Sequence, residues 1–299
     1  MKLLLFGGNG QVGSELRRSL ASLGEVVATT RSGTLEDGTR CEQADFDAPE
    51  SLPALVDRIA PDLVVNAAAH TAVDRAESEP DAAFRANAQA PQAIAGACAR
   101  RGIRLVHYST DYVFDGHGTR PYREDDPTAP ASVYGASKLA GEEAIRASGA
   151  SHLILRTAWV YAAHGRNFLR TMLRLAGEHD ELRVVADQFG TPTPAALIAD
   201  ATARMLAQDP SRSGTWHLTA TGATSWHGFA EAIMQGAHAR GLIARVPRVS
   251  PISTADYPTP AARPAYSVLD CSALRRDFGI ELPDWRAGLA TVLDRLQRG

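Results

Sequence analysis

A doubly wound α/β fold is what the sequence predicts: one parallel sheet covered by helices on both faces, followed by a smaller C-terminal lobe. Three observations carry that reading. Short apolar runs alternate with amphipathic stretches through the first half of the chain, the rhythm of strands each followed by a covering helix. The runs are apolar along their length rather than on alternate residues, as strands buried on both faces are. Beyond Thr157 the rhythm breaks into Pro- and Gly-bearing segments mixed with helical stretches, which marks a lobe of different construction.

In chain order, strands are expected at Lys2–Phe6, Glu25–Thr30, Leu63–Asn66, 104–109 and 152–156. Between them, apolar residues recur at helical spacing over 12–23, 51–59, 81–100 and Val133–Ala147. In the second half the same spacing marks 195–206 and 226–240, while 187–194 and 254–264 read as irregular. A chain of 299 residues buries a large enough core to need neither disulfides nor a structural metal.

Composition excludes several classes. Hydrophobic residues at 44% and charged residues at 22% describe an ordinary globular chain, and no stretch is apolar for the length a bilayer requires. The apolar start, Met1 to Phe6, is too short for a signal peptide and lacks a small-residue cleavage site, so a cytoplasmic location is expected. A net charge of -3, with Lys and Arg scattered along the chain, argues against a nucleic-acid partner. Cys41, Cys98 and Cys271 lie too far apart for a disulfide framework or a Cys-x-x-Cys site, and the histidines pair with no carboxylate at metal-ligand spacing. No metal is expected.

Directly after the first strand comes Gly7-Gly8-Asn9-Gly10-Gln11-Val12-Gly13, followed by an amphipathic helix. Glycines there let the backbone turn tightly and approach a pyrophosphate, whose charge the helix N-terminus favours. A glycine triplet alone is an ordinary turn; its place between a buried strand and a helix makes it a dinucleotide site. The second strand runs into Thr29-Thr30-Arg31-Ser32, with no acid to hold ribose hydroxyls. Arg31 is therefore expected to bind a ribose 2′-phosphate, which favours NADPH while leaving NADH possible. Asp45 and Phe46 are expected at the adenine, and Ala67 to Ala69 where the chain passes close to the cofactor.

Tyr134 and Lys138 stand four residues apart at the start of a helix, which puts both on one face. A phenol is a poor acid or base near neutrality. A neighbouring ammonium and the helix N-terminus are expected to favour its ionised form and so bring it into range as the acid for a carbonyl accepting hydride. Thr110 closes the 104–109 strand region, at the edge where such sheets bind ligands, and is expected to donate to the carbonyl oxygen. His107 falls inside that strand and is expected simply to pack there. Residues 1–160 with about 194–220 are assigned to the dinucleotide-binding domain, and about 161–193 with 221–299 to the substrate-binding lobe.

Gly7–Gly13 (in the wider Gly-x-x-Gly-x-x-Gly spacing), Asn66–Asp74, His107–Asp115, Val133–Glu142, Arg156–Tyr161, Asp187–Gly190 and Tyr257–Pro264 together resemble the extended short-chain dehydrogenase/reductases. Within them they resemble the dTDP-4-dehydrorhamnose reductase family over nearly the whole chain. The resemblance implies a Rossmann-like fold and NADPH-dependent reduction of the 4-keto group of a dTDP-linked 6-deoxysugar. It implies Tyr134 as proton donor, Lys138 as its partner and Thr110 as the carbonyl-positioning hydroxyl. Gly10, Gln11, Val12, Asp45, Phe46, Ala69, His70 and Thr71 match cofactor contacts, and Asp111, Tyr112 and Trp159 match the substrate pocket. Arg263, in the Pro-rich loop, is expected to supply the cation a diphosphate needs.

Two other readings share these motifs. A nucleotide-sugar epimerase or dehydratase uses the same Tyr/Lys pair, but dehydratases usually follow the strand-end Thr with Asp-Glu, and here Tyr112 follows Asp111. A non-catalytic NADP-binding regulatory subunit, like that of methionine adenosyltransferase, can retain them without turnover. Some relatives dimerise through Mg²⁺ held by glutamates; here Glu15 aligns with one acid while Ala196 and Arg295 replace the others. An arginine repels a hard cation, so a monomer or a metal-independent homodimer is expected.

Overall fold

The computed structural model describes residues 1–209 and 211–298. Seven parallel strands form the central sheet: β1 (Lys2–Phe6), β2 (Glu25–Thr30), β3 (Glu42–Gln43), β4 (Leu63–Asn66), β5 (Arg104–Thr110), β6 (His152–Thr157) and β7 (Gly214–His217). Their order is β7-β6-β5-β4-β1-β2-β3. The order reverses at β1, so the crevice above its carboxyl end, where the glycines lie, is the switch point at which such sheets bind ligands.

Period-two side chains divide between two cores. Leu3, Leu5, Val65, Val106 and Leu155 face α1 (Gln11–Ser19) and, further along the chain, Ile198 and Met205. Leu4, Phe6, Val64, Leu105 and Ile154 face α2 (Leu52–Ile59) and α3 (Ala90–Arg101). At about 1.5–3 kcal/mol for each fully buried aliphatic side chain, these two layers dominate the stability of the sheet.

Two elements depart from expectation. The stretch 81–100 is not one helix: Pro80–Phe84 is followed by a π-helical turn, Arg85–Gln89, before α3. Pro91 lies in the first turn of α3, where its missing N–H leaves the regular ladder incomplete. The widened turn delivers Asn87 to the site. The other departure is β7, which joins the main sheet beside β6 after the chain has already left it; only pairing across distant segments reveals it.

Among the described residues the remaining α-helices are α4 (Val133–Ala147), α5 (Phe168–Glu178), α6 (Ala195–Gln208), α7 (Trp226–Ala239) and α8 (Trp285–Arg298), besides the short Val73–Ser78 and Ser272–Phe278. Leu169, Leu182, Phe229, Ile233, Trp285 and Leu293 form a separate core. Helix α5 is tied to the sheet side where Asn167, its N-cap, donates to Gln11 Oε1 at 2.8 Å. Among the described residues no helix is long and apolar enough to cross a membrane.

Candidate active site

Above the carboxyl ends of β1, β4 and β5 lies a cavity of about 650 Å³. The glycine loop forms one end of it. Gly7 has φ +85°, and a Cβ there would come within 2.7 Å of the Ala68 nitrogen. A Cβ on Gly13 would lie 2.0 Å from the Gly7 carbonyl oxygen, so α1 can approach the strand only with glycine at that place. Gly10 precedes the first turn of α1, which carries no acidic side chain. The loop is a backbone cradle at a positive helix end, closed tightly on the strand because its glycines carry no Cβ.

Gly7, Gly10, Gln11, Val12, Ala69 and Thr71 line the cavity from this end, and Thr110, Asp111, Tyr112, Tyr134, Lys138 and Trp159 from the other. Gly13, Arg31, Asp45, Phe46, His70 and Arg263 do not border it. Gly13 and Phe46 act from behind: Phe46 packs edge-on to Phe6, ring centroids 5.7 Å apart. His70 is pinned through its backbone, its N–H donating to Asn87 Oδ1 at 2.8 Å and its carbonyl accepting from Asn87 Nδ2 at 3.0 Å. Asn87 also donates to Ser137 Oγ, joining the alanine strip to α4.

Helix α4 starts cleanly because Ser132 accepts from the Gly135 N–H. That fixes Tyr134 and Lys138 on the face toward β5. Lys138 is buried and donates to the Tyr108 carbonyl at 2.6 Å. Burial lowers its amine to about 8.

Tyr134 differs from expectation. Burial pushes its phenol well above the ordinary value, Thr110 lowers it only in part, and Asp111 adds to the rise. The expectation of a phenol drawn toward ionisation by Lys138 and the helix end is thus reversed. Desolvation disfavours the phenolate, so the phenol holds its proton more firmly than a free tyrosine does. Such a group is loaded to donate.

Thr110 is also otherwise engaged than expected. Its hydroxyl donates to Asp111 Oδ1 at 2.9 Å and accepts the Tyr112 N–H at 3.2 Å. To donate to a carbonyl it must turn away from Asp111. Burial pushes the Asp111 carboxyl up to about 6 against the pull of the Ser267 and Thr110 hydroxyls, and among the described residues its Oδ2 has no partner within hydrogen-bond distance. The Tyr112 ring meets Tyr134 edge-on, with centroids 5.5 Å apart.

Trp159 adopts φ +46°, a conformation a bulky side chain rarely takes, and stacks on Trp226 of α7 with centroids 3.5 Å apart and planes 3° from parallel. A Cβ on Gly190 would lie 2.4 Å from the Trp159 ring, so that glycine makes room for the indole. Trp226 and Arg166 line the cavity and were missed from sequence, because both belong to the second lobe at positions that no local motif marks.

Two expected cations need revision. Arg263 donates to Asp74 Oδ2 at 2.6 Å and lies behind Tyr112, whose burial-raised phenol it draws downward, so its charge is shared between that carboxylate and the cavity wall. Arg31 is flanked by carboxylates, 3.5 Å from Asp45 and 3.0 Å from Asp47, on an exposed surface. Asp45 thus faces Arg31 as well as any adenine. A wider groove of about 920 Å³ between α1 and β2 contains none of the strand-end residues.

A glycine cradle at the switch point, joined through one cavity to a protonated tyrosine and its helix-mate lysine, defines a nucleotide-dependent oxidoreductase of the short-chain type. The model of the RmlD substrate binding domain family matches residues 1–298. A dTDP-4-dehydrorhamnose reductase of Burkholderia thailandensis is 52% identical over 295 residues, 96% of each chain. The chain belongs to the dTDP-4-dehydrorhamnose reductase family. Crystal structures of two members superpose with a TM-score of 0.89: that from Clostridium acetobutylicum, 36% identical, covering 99% of this chain and 100% of its own, and that from Bacillus anthracis in complex with NADP, 33% identical, covering 98% and 99%.

Proposed function

We propose that this protein reduces the 4-keto group of dTDP-4-dehydro-6-deoxy-L-mannose to give dTDP-L-rhamnose, using NADPH and accepting NADH in its place. The observation that carries this is the continuity of the cavity from the glycine cradle to Tyr134. Gly7 and Gly13 let the loop and α1 close on the strand ends, so that backbone N–H groups at the start of α1 face a pyrophosphate, and Ala67 to Ala69 line the cavity for the nicotinamide half. When bound, the cofactor supplies hydride to the carbonyl carbon. Tyr134 gives its proton to the carbonyl oxygen, and Lys138 offsets the charge left on the phenolate. Asp111, with a free oxygen, accepts from a sugar hydroxyl; Tyr112 and the Trp159–Trp226 pair pack on apolar ring faces. Arg166 takes the diphosphate role first expected of Arg263, because it lines the cavity.

The reading divides the chain into residues 1–160 with about 194–220 for the cofactor and about 161–193 with 221–299 for the sugar nucleotide. Its first part is supported by Ile198 and Ala199 sharing a core with α1 and by β7 beside β6, whereas Leu274, Phe278 and Ile280 from the 221–299 range pack in that same sheet core. The same reading puts the enzyme in the cytoplasm, in keeping with three free cysteines. It acts as a monomer or a metal-indifferent dimer, because Glu15 is already held by Arg295 at 2.9 Å and by Arg18 at 3.5 Å. Purified protein supplied with NADPH and the keto-sugar, with the product identified by NMR, tests the function: dTDP-L-rhamnose is expected. Absence of NADPH oxidation, or the C4 epimer as product, overturns it.

A further inference from the structure

His107 is a fully buried imidazole to which the reaction above gives no task. It stands on β5 opposite Asn66 of β4 in the sheet register, and the two are hydrogen-bonded, Asn66 Nδ2 to His107 Nδ1 at 3.1 Å. Its other nitrogen, Nε2, is 3.2 Å from Lys138 Nζ.

The orientation of Asn66 settles which nitrogen carries hydrogen. The Ala68 backbone N–H, which can only donate, bonds Asn66 Oδ1 at 3.1 Å. The amide NH₂ of Asn66 must then point at His107 Nδ1, which has to accept. A neutral imidazole that accepts at Nδ1 carries its hydrogen on Nε2. That N–H is aimed at the lysine nitrogen. An ammonium has donors only, so it opposes the Nε2–H, whereas a neutral amine offers it a lone pair.

We propose that His107 is a positioning residue for Lys138: held by Asn66 as the Nε2–H tautomer, it offers the ammonium no acceptor and so turns it toward the cavity lined by Tyr134. This rests on the reading of Lys138 as the partner of Tyr134. The charge on Lys138 then faces the place where the phenolate arises rather than the wall behind it.

The surroundings agree. Burial holds His107 well below the ordinary imidazole value, with the Lys138 charge acting in the same sense, so it stays neutral. Lys138 is lowered chiefly by burial, with Glu142, two turns along from Tyr134 on α4, pulling the other way. The Glu142 charge is engaged by Arg156 and Arg146, and Tyr108, Asp111, Tyr112, Tyr134 and Arg166 are the further titratable groups that line the cavity with Lys138.

Lys2 and Lys138 are the only lysines in the sequence, so selective labelling gives two assignable signals. Titration of ¹³Cε-lysine-labelled protein by NMR is expected to show Lys138 losing its proton well below Lys2. In His107→Gln, whose amide can turn its carbonyl oxygen to the ammonium, the Lys138 midpoint is expected to rise by about one pH unit, and the alkaline limb of kcat with it. An unmoved midpoint in a folded variant overturns the proposal. A ¹⁵N-histidine spectrum of the unaltered protein needs no variant: Nε2–H at His107 from pH 6 to 9 supports it, and Nδ1–H or a titrating ring overturns it. Because both NMR readouts are independent of turnover, failure of the reductase reading remains distinguishable from failure of this one.

Discussion

Glu142 and Arg156 form a two-pronged ion pair with almost no solvent contact, Arg156 Nε to Oε1 at 2.9 Å and Nη2 to Oε2 at 2.8 Å. The pair ties α4, which carries Tyr134 and Lys138, to β6. Burial raises the Glu142 carboxyl, but hydrogen bonds and charge from Arg156 prevail and leave it below the ordinary range. Its contribution is therefore present above the unfolded carboxylate value and lost as pH falls through the lower folded one. Glu142→Gln strands the buried guanidinium and is expected to destabilise by about 3–5 kcal/mol, seen as a melting temperature lowered by several degrees or more. A melting point within a degree of wild type at pH 7 contradicts this account.

Asp111 has the opposite sign. Its carboxyl is raised from 3.8 to about 6, so the folded protein keeps a proton that the unfolded chain releases. Stability then falls as pH rises between those values, and the deficit persists above them. Asp111→Asn is expected to gain on the order of 1–3 kcal/mol at pH 7.5 and nothing below pH 4, while kcat/KM drops at least ~10-fold through the lost hydroxyl contact. Thermal melts at the two pH values, with kinetics alongside, check both halves.

For Tyr134→Phe, kcat is expected to fall at least ~100-fold, since the proton donor goes while the ring against Tyr112 remains. NADPH binding, followed by fluorescence titration, should change little. Retention of most turnover would assign the proton to another group.

Cofactor preference turns on the carboxylates around Arg31. A 2′-phosphate has to draw the guanidinium from Asp45 and Asp47 and meets their charge as it does so. Only a modest NADPH advantage is expected, with exposed pairs of this kind worth up to about fivefold in affinity. Asp47→Asn should raise the NADPH-to-NADH ratio of kcat/KM, and Arg31→Ala should lower it. A wild type that ignores NADH, or an Asp47→Asn ratio that falls, shows that these residues do not set the preference.

Much of the fold was legible because it rests on local signals. The bounds of β1, β2, β4 and α4 match the expected ones, since an apolar run between turn residues, or a helix with a serine cap, is written in neighbouring positions. The glycine spacing and the four-residue step from Tyr134 to Lys138 are equally local. What escaped depends on partners far away in the chain. Strand β7 exists only because Gly214–His217 finds β6, and Trp226 reaches the cavity only because α7 packs beneath Trp159. Charged side chains were the least legible: Arg263 and Arg31 are cations in the sequence, but the fold brings Asp74 to one and Asp47 to the other. Tyr134 shows the same division in a single residue. Its position beside Lys138 follows from helical periodicity. The state of its proton follows from burial, because the cost of placing charge in a dry cavity depends on everything packed around it and on no neighbour in sequence.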